Sequence, residues 1–184
     1  RIARPDHPLL HDVNTRFDVP HSRHNDISRE QLEAAGLTVL VESAEGGVHM
    51  AVSADQFRAV FFQGHPEYDV ESLLKEYKRE ALRYVSGERS GAPPFPTHVF
   101  PESARVLADR FMSHAQAAAR SNRPLPAFPE VEIGALLDNT WGDSGRAIIS
   151  NWLGLVYQVT NLDRKLQYMD GVDPADPLGM RDSS

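Results

Sequence analysis

FFQGHPEYD (61–69) decides how the rest of the chain is read. Phe61 and Phe62 close an apolar run, Gly64 breaks it, and His65, Pro66 and Glu67 follow before a stretch with helical spacing begins. A strand that ends in a turn and feeds a helix is where α/β sheets carry their ligand sites. Proline at the middle position biases His65 towards extended geometry. In an extended backbone the side chains at i and i+2 leave on the same side. The Glu67 carboxylate can then hold one imidazole nitrogen, fix the tautomer and leave the other nitrogen as a general base. The same residues also read as a strand-end turn in which His65 and Glu67 only cap backbone groups, and the tripeptide alone leaves both readings open.

Upstream of it, FRAVFFQ (57–63) reads as a strand, nearly all apolar and so buried on both faces. LTVLVES (37–43) is another, and Glu45–Gly47 makes a hairpin turn into a further strand over 48–53. Ser28 caps a short helix over SREQLEAAG, with Gly36 as its stop. Residues 1–27, rich in His, Pro, Asp and Asn, have no period and read as an ordered loop or extended segment.

Downstream, Asp69 reads as a helix cap. Val70, Leu73, Leu74, Tyr77, Ala81 and Tyr84 form one apolar stripe, and Gly87 ends that helix. The Pro/Gly-rich residues 88–101 read as the domain boundary, with 1–90 as one part and 91–184 as the other. Glu102–Arg120 reads as a helix burying Val106, Leu107, Phe111 and Met112, then SNRPLPAFPE (121–130) as a linker and 144–160 as a last helix. The tail DGVDPADPLGMRDSS (170–184) reads as disordered. A β-rich first half followed by a helical second half gives an α/β class with a helical appendage.

Composition narrows the functions. Hydrophobic residues at 41% and charged residues at 24% fit a globular protein with a real core. A net charge of −7 gives no electrostatic reason to bind nucleic acid or an anionic membrane. No apolar run approaches the roughly eighteen residues of a membrane span, and no signal peptide is visible; the expectation is a cytoplasmic protein. Cysteine is absent, which excludes a disulfide framework and a thiolate metal site within the chain. The chain starts at Arg1 and reads as a piece of a longer protein.

Other residues carry weaker signals. VPHSRH (19–24) raises a metal reading with His11, His21, His24 and His65 as ligands. Only His21 and His24 are closely spaced, so a polar loop is favoured and no metal is expected. Ser22 and Arg23 read better as binders of an anion or amino acid, because arginine can grip a carboxylate with two parallel hydrogen bonds. Arg79 lies 14 residues past His65, about four helical turns. Locally it reads as part of a solvated face, with Glu76 and Glu80 beside Lys75, Lys78 and Arg83. Trp141, Trp152 and Tyr157 read as core.

Taken together, FDVPHSRH (17–24), QGHPEYD (63–69), SLLKEYKRE (72–80) and the NWL and VYQVT elements (151–160) resemble the homoserine O-acyltransferases of methionine biosynthesis. The resemblance is to the homoserine O-succinyltransferase type, whose pattern is F-x-x-PHSR, then GH-x-EY, then L-x-x-EY-x-R. It covers residues 8–162. It implies the C-terminal half of a flavodoxin-like, class I glutamine amidotransferase-like α/β domain with a helical C-terminal extension. It also implies transfer of a succinyl or acetyl group from acyl-coenzyme A, a co-substrate and not a bound cofactor, to the hydroxyl of L-homoserine through an acyl-cysteine.

Residue by residue, the resemblance makes His65 the general base, Glu67 its orienting acid, Ser22 a substrate contact and Arg79 the holder of the homoserine carboxylate. That last role replaces the local reading of Arg79. The family's nucleophilic cysteine lies upstream of PHSR, so the resemblance implies a partner N-terminal half carrying it; the helical extension would suit a homodimer interface. HPE also resembles the end of the triad in class I glutamine amidotransferases, so a related hydrolase is the alternative enzyme, and a non-catalytic fragment or regulatory module is the alternative of another class.

Overall fold

The computed structural model describes residues 1–181. It is a mixed α/β structure with a small antiparallel sheet, and it divides into two compact units. One takes Arg1–Glu67 with the chain from Thr140 onward, and the other takes Tyr68–Asn139. The expected boundary at 90/91 therefore falls inside the second unit. The physical reason is that the Pro/Gly-rich stretch supplies core: Phe95 stacks edge-on against Tyr77 at 5.4 Å and against Phe100 at 5.3 Å.

In the first unit, β1 (Thr38–Ser43), β2 (Gly47–Val52) and β3 (Val60–Phe62) form a three-stranded antiparallel sheet with β2 central. The hairpin between β1 and β2 closes as expected: the Gly46 amide donates to Ser43 Oγ at 2.8 Å, and Gly47 takes φ +65°, which a side chain would strain. Helix α1 (Arg29–Ala34) carries the full reciprocal cap of Ser28 and Gln31. β3 departs from expectation in length and burial. It has 3 residues, and Phe61 is 45% exposed. Asp55 accepts from Ser53 Oγ at 2.6 Å and from the Phe57 and Arg58 amides at 3.2 and 3.0 Å, and this turn consumes the residues that would have extended the strand. Being an edge strand, β3 also has no neighbour to cover its outer side among the described residues.

The core of this unit joins Leu9, Leu10, Leu40, Val41, Met50, Val52 and Ile148. The N-terminal segment is ordered and contains a short 3-10 helix, Pro8–Leu10. Helix α5 (Gly142–Val159) is tied to it by Asn151, whose Nδ2 donates to the Leu9 and His11 carbonyls at 3.0 and 2.7 Å. Trp141 is buried, but Tyr157 is 79% exposed, against the expectation of a core residue. Buried Ile148 lies nine residues earlier, two and a half turns, so Tyr157 points the opposite way. The tail is ordered to Arg181, against expectation: Val172 and Leu178 pack against the cluster of Phe57, Val159 and Tyr168, and Asp176 accepts from the Met180 and Arg181 amides at 2.9 and 3.0 Å. Residues 182–184 of the tail lie outside the described residues.

In the second unit, α2 (Ser72–Val85), α3 (Glu102–Arg120) and α4 (Glu130–Gly134) share one core. On α2, Leu73, Leu74, Tyr77 and Ala81 are buried as the stripe predicts. Asp69 organises the turn before the helix, accepting from the Glu71 amide at 3.0 Å and Ser72 Oγ at 2.8 Å, and does not cap it directly. On α3 the buried side is Ala104, Ala108, Phe111, Met112, Ala115 and Ala118; Val106 is 49% exposed, against expectation. The small alanines define the packed face, which an apolarity count passes over. The expected linker at 121–130 gives Phe128 to the core and leads into α4, whose Ile133 is fully buried.

Candidate active site

β3 ends at Phe62, and the next five residues build the site. Gln63 is the clamp. Its side-chain amide donates to the Ile27 carbonyl at 2.9 Å and the Val48 carbonyl at 3.1 Å, and its oxygen accepts from the Ile27 amide at 2.9 Å. The Pro20 carbonyl accepts from the His65 amide at 2.8 Å. These bonds hold the PHSRHNDI segment alongside the end of the sheet. Gly64 follows, and it has to be glycine: a Cβ there would lie 2.6 Å from Val19 Cγ1, 2.8 Å from His49 Nδ1 and 3.0 Å from His21 Nε2.

His65 Nδ1 donates to Glu67 Oε1 at 2.8 Å, the pairing that the i, i+2 geometry predicts. Its Nε2 lies 3.3 Å from the Ser22 carbonyl oxygen. With Nδ1 carrying its proton to Glu67, Nε2 is the nitrogen that takes up a proton, and the Ser22 oxygen is then placed to accept from it. The side chain of His65 is 30% exposed, so the ring can be reached from outside. Pro66 is braced from behind. A Cβ on Gly145, in the first turn of α5, would lie 2.9 Å from the Pro66 carbonyl oxygen.

Two more imidazoles stand next to this turn. His21 accepts at Nδ1 from Arg23 Nη1, and His49 lies edge-on to His21 at 5.9 Å. Burial, aided by the Arg23 charge, lowers His21 to about 4. Burial lowers His49 to about 3, so both rings are neutral near pH 7. Arg23 is committed to structure, with Nη2 donating to the Gly46 carbonyl at 2.6 Å and pairing with Asp26 at 2.9 Å. That removes it as the anion grip that its position beside Ser22 suggests.

His65, Glu67 and Ser22 thus come together in the first unit. Arg79 belongs to the second, on α2, where it is 64% exposed and its Nε donates to Glu80 Oε1 at 3.0 Å. Arg79, with Arg89 and Arg83, holds the Glu80 carboxyl down to about 2. Of the histidines in the metal reading, His11 pairs with Asp12 at 3.2 Å, His21 with Arg23 and His65 with Glu67. Among the described residues no group of three or more acidic or histidine side chains is arranged to hold a metal ion. Among them, too, no helix is long and apolar enough to cross a membrane.

The family model for homoserine O-succinyltransferase matches residues 1–162. The chain belongs to the homoserine O-succinyltransferase family. It is similar to the homoserine O-succinyltransferase of Methylococcus capsulatus, 54% identical over 180 residues, which are 98% of this chain and 51% of the relative. Those of Thiothrix nivea (54% identical, 98% of this chain, 50% of the relative) and Nitrosococcus oceani (55%, 98% and 51%) are similar to it in the same way. The chain spans about half the length of these curated relatives.

Gln63 and His49 stand at this site and were missed by sequence reasoning. Gln63 stands directly before the GH-x-EY motif, and nothing in its identity says that it clamps a segment 36 residues away. His49 does leave a trace, as a lone imidazole between Val48 and Met50 in an otherwise apolar strand.

Proposed function

We propose that the whole protein transfers an acyl group, succinyl or acetyl, from acyl-coenzyme A to the hydroxyl of L-homoserine, with His65 as the general base. The observation that carries this reading is the 2.8 Å bond from His65 Nδ1 to Glu67, which leaves Nε2 as the proton acceptor. Family membership supplies the reaction class. The chain has no cysteine, so the thiol of an acyl-cysteine intermediate would come from outside these 184 residues.

His65 Nε2 takes the proton from that thiol, the thiolate attacks the thioester, and the protonated His65 returns the proton to the coenzyme A sulfur as it leaves. Ser22 contacts the homoserine, and the family resemblance alone gives Arg79 the homoserine carboxylate. His65 then takes the proton from the homoserine hydroxyl, which attacks the acyl-cysteine and restores the thiol. This is a ping-pong sequence. The α/β unit is read as the flavodoxin-like, class I glutamine amidotransferase-like scaffold of this chemistry.

In the whole protein, His65→Ala lowers homoserine-dependent release of coenzyme A by about a hundred- to ten-thousand-fold; near-native turnover would sink the assignment. Arg79→Lys raises the homoserine KM, because an ammonium cannot reproduce the two-pronged grip of guanidinium on carboxylate. An unchanged KM would remove Arg79 from the substrate site. Running the assay with succinyl- and acetyl-coenzyme A in parallel assigns the donor.

A further inference from the structure

His49 has no part in the chemistry above, yet its position is unusual. It lies in the middle of β2 and is 3% exposed, and neither ring nitrogen has a hydrogen-bond partner. A phenylalanine would fill that space without burying polar atoms unpaired, so packing alone does not account for an imidazole. The ring is held by Phe17 edge-on at 6.2 Å, Phe62 at 5.5 Å and His21 edge-on at 5.9 Å. Its Nδ1 faces Gly64, where a Cβ would lie 2.8 Å away. The main chain at Gly64 therefore rests directly on this nitrogen, and His65 is the next residue.

We propose that His49 is a positioning residue for His65, its Nδ1 edge forming a floor on which the Gly64–His65 peptide is seated. A ring nitrogen with a bare lone pair has no hydrogen on that edge. It allows a closer approach than an aromatic C–H and can accept a weak contact from the Gly64 Cα–H. The ring must be neutral for this. The charged or titratable side chains that act on it are His21, Arg23 and His65, and all of them oppose its protonation. The Asn/Gln pair tests which nitrogen matters: asparagine places a polar atom near the Nδ1 position, glutamine near Nε2.

This inference rests on the reading of His65 as the base. The test is made in the whole protein with His49→Phe, His49→Asn, His49→Gln and His65→Ala, measuring kcat, homoserine KM, the pH dependence of kcat and thermal unfolding. The Phe and Gln variants are expected to lose kcat by about ten- to a hundred-fold with little change in KM, and to displace the acid limb of the pH profile, as slight misplacement of a base does. The Asn variant is expected to keep the native profile. If His49→Phe does not fold, the other two decide. Asn native with Gln impaired supports the positioning role, and both native or both equally impaired overturns it. An active His65→Ala variant would instead bring down the base assignment itself, whereas an inactive one beside native Gln and Asn variants would bring down only the role of His49.

Discussion

Gly64 is the residue at which the site's tolerances are tightest. Its α-hydrogen occupies a space bounded by Val19, His49 and His21, and a methyl group there would meet all of them at 3.0 Å or less. His49, buried between Phe17, Phe62 and His21, has the least room to yield. Gly64→Ala is expected to cost about 1–3 kcal/mol, the usual range for overpacking, read as a lower urea midpoint at unchanged slope. A variant as stable as the parent would mean that the turn shifts freely. Of this site, the His65–Glu67 pair was legible from spacing, because i, i+2 geometry and Pro66 act locally. The place of His49 is not legible because it arrives through strand pairing, that of His21 because the bonds of Gln63 and His65 to the 20–27 segment set it, and that of Arg23 because its neighbour Gly46 is set by the hairpin.

At the scale of elements, α5 depends on one asparagine. Asn151 closes the two carbonyls at Leu9 and His11, and it is the polar tie between the helix and the 3-10 turn. Asn151→Ala is expected to destabilise by about 1–3 kcal/mol because it strips a donor from partly buried acceptors. Tyr157→Ser, on the exposed side of the same helix, should stay within about 0.5 kcal/mol. Denaturant melts of the two variants side by side check the contrast, and equal losses would show that Tyr157 is covered. Helix limits were readable from periodicity: Glu102–Arg120 matches to the residue, and α5 differs by a residue or two at each end. Which way a helix faces was less readable. Val106 and Tyr157 are apolar enough to be taken for core, but rotation about the axis puts Ala104, Ala108 and Ile148 inside instead.

At the scale of the molecule, two buried imidazoles and one half-buried one shape the response to acid. His7 is 1% exposed and is lowered to about 4 by burial; His21 stands at about 4 and His49 at about 3, for the same first reason. An unfolded chain binds protons at these rings below about pH 6.5, and the folded chain resists until pH 3–4. Stability from this source is complete above 6.5 and falls as the pH drops through the window below it. The urea midpoint is expected to be level above pH 7 and to decline between pH 6.5 and 4, with about two to three protons taken up on unfolding. A midpoint unchanged from pH 7 to 5 would contradict the burial of these rings. The division into units was the least legible feature. Proline and glycine between 88 and 101 look like a hinge, whereas the aromatics between them, Phe95 and Phe100, are what the second core is built on.

The contact between Gly145 and Pro66 makes the last helix an optical probe of the base. The carbonyl of Trp141 accepts from the Gly145 amide at 3.0 Å, and the Trp141 indole is 4% exposed. Any displacement of Pro66, and so of His65, presses on the turn that carries this indole. In this chain, whose two tryptophans are Trp141 and Trp152, replacing Trp152 with phenylalanine isolates Trp141, and its intrinsic fluorescence should register protonation at the site without an added dye.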